Sequence, residues 1–277
     1  MLHIDPPNVN AKRHFLNCIS KIHKKSEKSE LEKIAPVIAQ AAKEYKRLAK
    51  KSKLHSMKRH ACGISDKRLK RLYEYRMRDK GQPGRDLYDR IRLSAPNGFC
   101  PFCAQRRVGS VDHYLSQSAY PELATVPNNL VPCCQDCNKA KGAYQPKKRS
   151  EQLLHPYFDR IKIRWLKADI VSVDGHALFV FSVATNTSLS GRLVRRIENH
   201  IQVFDLADLY SMHATAEMRD VEFQLELVRS RGGNTAVKEH LLDQAKSRER
   251  TNPNSWQTAA YYAMHGSNEF CAGKLKC

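Results

Sequence analysis

The chain has 277 residues, 41% of them hydrophobic, with a formal net charge of +20 and a pI near 9.7. That length supports one large or two modest domains with a packed core, and no stretch approaches the roughly eighteen apolar residues of a membrane span. The opening MLHIDPPNVN lacks an apolar leader, so the sequence predicts a cytoplasmic protein with no membrane partner, whose nine cysteines serve metal rather than crosslinks. The positive charge calls for a polyanionic partner, and nucleic acid is the commonest. Residues 1-98 hold most of it, with 25 Lys+Arg against 10 Asp+Glu; residues 99-148 have 6 against 3, and residues 149-277 have 17 against 15. The bland alternative for such charge is a set of solvated helix faces, although those usually mix both signs.

Residues 1-98 read as mostly helical. Leu31 to Lys51 is rich in Ala, Lys and Glu, and Pro36 is expected to break or restart its helix near the beginning. Residues 20-58 could form a coiled or tail-like basic arm. Ser65-Asp66 is an N-cap signal for a helix to about Lys80, with Leu69, Leu72, Tyr73 and Met77 on one face. Lys67, Arg68, Lys70, Arg71, Arg76 and Arg78 crowd the other face as candidate contacts to nucleic acid. Gly81-Gln82-Pro83-Gly84 stops the helix, and a short one follows from about Asp86 to Arg92.

Cys100 to Gly142 reads as a compact finger. Cys100-x-x-Cys103 and Cys134-x-x-Cys137 are two knuckles, each offering a pair of sulfurs to one tetrahedral zinc. Cys133 is out of register and reads as a bystander, while Cys18, Cys62, Cys271 and Cys277 have no partner spacing and default to packing or surface thiols. Between the knuckles the pattern predicts a strand near Gly109 to His113, a long loop, a second strand near Asn129 to Val131, and a helix from about Gln135. That loop is longer than a zinc site needs, and the interval holds Asp112, His113 and Asn129, which no such site requires. Asn138 lies four residues after Cys134 and Lys141 four after Cys137, so one helix can carry zinc ligands, an amide and a lysine on neighbouring surfaces.

After Gln145-Pro146-Lys147-Lys148 the composition changes. Ile163 to Val173, Asp174-Gly175 and Leu178 to Val183 predict a β-hairpin with a tight turn. From Gly191 the pattern is helical, with a break at Gly232-Gly233 and a last helix from about Asn254 to His265. Trp256, Ala259, Ala260 and Ala263 form a stripe on that helix that is read as docking on the core.

Val111-Asp112-His113-Tyr114, Asn129-Leu130-Val131-Pro132 and Cys134-x-x-Cys137-Asn138-Lys139-Ala140-Lys141-Gly142 together resemble the HNH endonuclease family, the ββα-metal or His-Me finger nucleases. The resemblance implies that Asp112 and Asn138 ligate a catalytic metal, that His113 is the general base, and that Asn129 holds the loop and histidine in place. The chemistry agrees. A neutral imidazole accepts a proton near pH 7, and a carboxylate with an amide oxygen suits Mg2+ or Mn2+ better than a soft metal. Lys139 and Lys141 would then contact phosphate. Successive strand residues face opposite ways, so Asp112 and His113 reach one metal only at a strand end or bulge, which the resemblance implies. The alternative is a purely structural finger in which Asp112 and Asn129 cap turns and His113 is a surface histidine.

The expected fold class is α+β, predominantly α-helical, with a basic helical region (1-98), a central zinc-stapled finger (99-148) and a C-terminal hairpin plus helices (149-277) that packs against it or binds a partner. The expected activity is DNA hydrolysis, RNA being a second possible substrate, with Mg2+ or Mn2+ catalytic and Zn2+ structural. The alternative is a nucleic-acid-binding or assembly module with an inactive centre. Small nucleases of this appearance also resemble effectors of bacterial anti-phage systems such as Septu, which pair the nuclease with an ATPase. No G-x-x-x-x-G-K-[ST] occurs here, so ATP dependence would come from a partner chain. One finger carries one active centre, so a double-strand cut needs a homo-oligomer or two successive nicks.

Overall fold

The computed structural model describes residues 1-185 and 188-275. Cys277 lies outside them. The chain divides into two compact units, Met1–Arg160 and Ile161–Cys277, so the basic helical region and the finger share one body. Among the described residues no helix is long and apolar enough to cross a membrane.

The first unit begins with α1 (Ala11–Cys18) and α2 (Lys25–Lys50). Helix α2 runs unbroken through Pro36, contrary to the break expected there. Pro36 lies on the exposed face, where water can satisfy the carbonyl left without a donor, while Leu31, Ile34, Ala35 and Ile38 anchor the helix in the core on both sides. Tyr45, Leu48 and Ala49 are buried as well, so this segment is part of the body and not a tail-like arm. Helix α3 (Asp66–Tyr73) continues as a π-helical turn, Glu74–Arg78, and α4 (Arg85–Leu93) follows. The π turn keeps Met77 on the buried face with Leu69, Leu72 and Tyr73. Gly84 is required by space: a Cβ there would lie 2.8 Å from the Arg76 carbonyl oxygen and 2.9 Å from Cys18 Sγ.

The finger adds β1 (Ser110–His113), β2 (Leu130–Cys133) and α5 (Gln135–Lys141). The strands pair antiparallel, with His113 opposite Leu130 and Asp112 opposite Val131. One core cluster joins Tyr73, Met77, Leu87, Tyr88 and Ile91 of the helical region to Val111, Ala124 and Leu130 of the finger. Two tyrosines fasten β1 from that side: Tyr73 donates to the Val111 carbonyl at 2.6 Å, and the Val111 N–H donates to Tyr88 Oη at 3.4 Å.

The second unit opens with the hairpin β3 (Leu166–Val173) and β4 (His176–Val183), turned by Asp174 and Gly175, both with positive φ as a two-residue type I′ turn requires. Its inner face buries Leu166, Ala168, Phe179 and Phe181. Helices α6 (Gly191–Val203), α7 (Leu206–Thr251), α8 (Trp256–Gly266) and α9 (Asn268–Cys271) complete it. Helix α7 reverses at Gly233, where φ is +67°. Arg248 in its second half lies 3.5 Å from Glu217 in its first, so the halves run antiparallel. On α8, Trp256, Ala259 and Ala260 are buried.

Candidate active site and zinc knuckle

The four sulfurs of Cys100, Cys103, Cys134 and Cys137 all lie within 4.8 Å of one another and are buried. A tetrahedral zinc with bonds of about 2.3 Å needs sulfurs roughly 3.8 Å apart, so this is the geometry of a structural zinc. Each knuckle is set by its own backbone. The Arg106 N–H donates to Cys103 Sγ and the Cys137 N–H to Cys134 Sγ, both at 3.4 Å. Ala104, with φ +57°, turns the first knuckle so that its N–H reaches the Cys100 carbonyl at 2.7 Å. Crowding polarises the thiols: hydrogen bonds from Cys100, Cys134 and Cys137 hold Cys103 far below the ordinary thiol range, and the same kind of contact pushes Cys137 far above it. A zinc ion held by these four sulfurs would take the place of those shared protons. Cys133 lies within reach of Cys100 but outside the four-sulfur group. The remaining described thiols pack: Cys18 and Cys271 are buried and Cys62 is half-buried, and burial pushes the Cys18 thiol up to about 12.

Asp112 and His113 keep the alternation of a strand, with His113 inward beside Val111 and Asp112 on the other face. The strand ends at His113, and the His113 N–H curls back to donate to Asp112 Oδ1 at 2.7 Å. His113 is 4% exposed, so it is not a surface histidine. Its Nε2 lies 2.8 Å from the Ala124 carbonyl, and Tyr73 packs against the ring edge-on at 4.4 Å. A carbonyl can only accept, so the ring proton sits on Nε2 and Nδ1 keeps its lone pair. Burial lowers the pKa of His113 to about 4, which keeps the ring neutral.

Asn129 is fully buried and does more than cap a turn. Its Oδ1 accepts from the Leu115 N–H at 2.8 Å, and its Nδ2 donates to the carbonyls of Leu115 at 3.0 Å and Leu123 at 3.4 Å. The amide thus clamps both ends of the loop that delivers the Ala124 carbonyl to His113.

On the other face of β1, Asp112 meets α5. Lys141 Nζ lies 3.1 Å from Asp112 Oδ2, and its side chain is 1% exposed. The surface phosphate contact expected of Lys141 is therefore not where the fold puts it. The approach falls outside hydrogen-bond geometry, and Asp112 Oδ2 is a buried oxygen without a hydrogen-bond donor. Its charged neighbour is the Lys141 ammonium; a carboxylate oxygen with no hydrogen-bond donor, and the amide of the half-buried Asn138 on α5, are oxygen donors of the kind a hard divalent cation takes. Lys139 is exposed. Among the basic residues of α3 and its π turn, Lys67, Arg71 and Arg78 are exposed, and Lys70 and Arg76 half-buried. Arg68 is engaged by Glu30 at 2.7 Å and Glu27 at 3.9 Å.

Ala124 and Tyr73 escaped sequence reasoning. Ala124 acts through its backbone and so carries no side-chain signal, and Tyr73 reads only as one more residue on an apolar helix face.

Residues 100–143 match the family model for HNH endonuclease. Over 223 residues the chain is 28% identical to Protein ea31 of Escherichia phage lambda, covering 74% of each. Over 72 residues it is 33% identical to the Septu protein PtuB of Bacillus thuringiensis, covering 24% of this chain and 27% of that protein. No solved structure matches.

Proposed function

We propose, from the premise that residues 100–143 form an HNH endonuclease domain, that this protein is a metal-dependent endonuclease that hydrolyses DNA phosphodiester bonds. The observation that carries the proposal is the fixed tautomer of His113, whose Nε2 lies 2.8 Å from the Ala124 carbonyl. That contact leaves Nδ1 as the proton acceptor, and burial keeps the ring neutral over the pH range in which nucleases work. His113 takes the proton of the attacking water. Asn129 positions His113 by holding the loop that carries Ala124. Asp112 and Asn138 would hold Mg2+ or Mn2+, which when bound would neutralise the charge that builds on the phosphate and on the leaving oxygen. The zinc knuckle fixes α5, and with it Asn138, relative to β1. Lys139 and the exposed cations of α3 and its π turn supply contacts to the backbone.

The Lys141–Asp112 pair favours the second reading, a nucleic-acid-binding module with an inactive centre, because an ammonium lies against the carboxylate that would hold the metal. Incubating supercoiled plasmid with wild-type protein and with His113→Ala, each with and without Mg2+ or Mn2+, tests the choice. Cleavage that needs both the metal and His113 supports the nuclease; no cleavage under any condition supports the module. The similarity to the Septu protein over 72 residues supports an anti-phage role in which an ATPase partner chain controls cutting. Co-purification with, and ATP-dependent cleavage in the presence of, such a partner would test that role.

A further inference from the structure

A cavity of about 370 Å³ opens where the segment before α1, the middle of α2 and the loop entering β2 meet. Its charged lining has one sign: Lys12 from the first turn of α1, and Lys43 and Lys46 from α2. All three are exposed, and no carboxylate is among the lining residues. The first turn of α1 opens into the same space. Asn10 caps it by accepting from the Arg13 N–H at 3.0 Å, which leaves the N–H groups of Ala11 and Lys12 without intrahelical acceptors, and no acidic residue occupies that turn.

The opposite wall supplies an independent observation. Asn128 is only 9% exposed and lines the cavity, yet its amide makes no hydrogen bond among the described residues. The side chain is mostly enclosed but its amide is reached by solvent from the cavity, where its two N–H groups are open to an anion and the charged residues of the lining are all cations. Amide, helix-turn N–H groups and lysines together provide more donors than the two oxygens of a carboxylate can use. A phosphate, with charge spread over several oxygens, matches them better.

We propose that this cavity seats a backbone phosphate of the nucleic-acid substrate, outside the catalytic centre; the inference rests on the endonuclease reading above. Asn128 adjoins Asn129 and lies two residues before Leu130, the strand partner of His113. A phosphate held there is therefore in register with the loop that orients the catalytic histidine.

The test is binding of a short fluorescein-labelled DNA duplex, followed by anisotropy over a salt series, with the full chain carrying His113→Ala to prevent cutting. Replacing Lys12, Lys43 and Lys46 by alanine should weaken binding roughly tenfold and lower the slope of log affinity against log salt by about one or more. Asn128→Asp keeps the side-chain shape and places a carboxylate among lysines. It should fold, and it should also bind roughly tenfold more weakly. Alanine at Lys24, Lys25 and Lys50 removes equal charge from elsewhere in the same region and should change both readings by less than half as much. If the cavity variants behave like this control, or if Asn128→Asp binds as tightly as its parent, the phosphate seat is wrong while the nuclease reading stands. If the protein with His113 intact neither binds the duplex nor cuts plasmid, the nuclease reading fails and the seat fails with it.

Discussion

Asn129→Ala is the substitution whose effect can be worked most directly from the structure. The side chain is fully buried and serves one N–H and two carbonyls, at 2.8, 3.0 and 3.4 Å. Truncation leaves those groups buried and unpaired at about 1–3 kcal/mol each, and discounting the longest bond leaves two such groups, a loss of about 2–6 kcal/mol centred near 4. Domains are stable by only about 5–15 kcal/mol, so this one change removes a large part of the first unit's margin. With a denaturant slope of about 2 kcal/mol per molar, the urea midpoint should fall by roughly 2 M. Tryptophan fluorescence would report the wrong unit, because Trp165 and Trp256 both lie in Ile161–Cys277. Release of zinc from the four cysteines, followed with a chromogenic chelator, reports the finger instead. Freed of Asn129, the loop no longer holds the Ala124 carbonyl against His113, so cleavage should fall well below the wild-type rate even at temperatures where the variant is folded. Asn129→Asp should be as damaging, since it replaces the donor with an oxygen facing two carbonyls. A loss below about 1 kcal/mol would refute the hydrogen-bond accounting; a large loss of stability with unchanged cleavage would refute the coupling to His113.

The zinc should be structural: metal analysis should find about one tightly held zinc per chain, and Cys103→Ser should lose the metal or misfold, since binding energy at such sites is folding energy. A soluble, folded, metal-free variant of unchanged activity would contradict this. His113→Ala should keep zinc content and DNA affinity while cleavage drops by roughly 10²- to 10⁴-fold; equal cleavage in a contaminant-free preparation would remove His113 from the mechanism. Asp112→Ala should instead shift the Mg2+ or Mn2+ concentration needed for cleavage, partly restored by excess metal, and a rate loss without any shift in metal dependence would count against ligation. Lys141→Met tests the placement of that lysine: removing an ammonium 3.1 Å from Asp112 should lower the metal concentration for half-maximal cleavage, whereas weaker DNA binding at unchanged metal dependence would return Lys141 to a phosphate contact.

The features readable from the sequence are those whose causes are local. A two-residue gap lets one tight turn aim both cysteine sulfurs at the same point, and two such pairs bracket this segment, so the candidate zinc ligands could be named before their geometry was known. Asp174-Gly175 between alternating apolar runs makes a hairpin because those residues tolerate the positive φ its turn requires, and Gly232-Gly233 marked the reversal of α7 for the same kind of reason. Tertiary structure decided what depends on partners distant along the chain. Pro36 continues a helix because Leu31, Ile34, Ala35 and Ile38 bury around it, an energy that no local propensity contains. Tyr73 reaches Val111, 38 residues away, and so joins the basic helices and the finger into one body. Lys141 carries the same charge in the sequence whether it faces solvent or Asp112; only the packing of α5 on β1 buries it. The Ala124 carbonyl and the Asn128 amide became visible last, because a backbone oxygen has no letter in the sequence and an asparagine in a loop usually faces water. Each takes on meaning only from what the folded chain places opposite it: the His113 ring for the one and a lysine-lined cavity for the other.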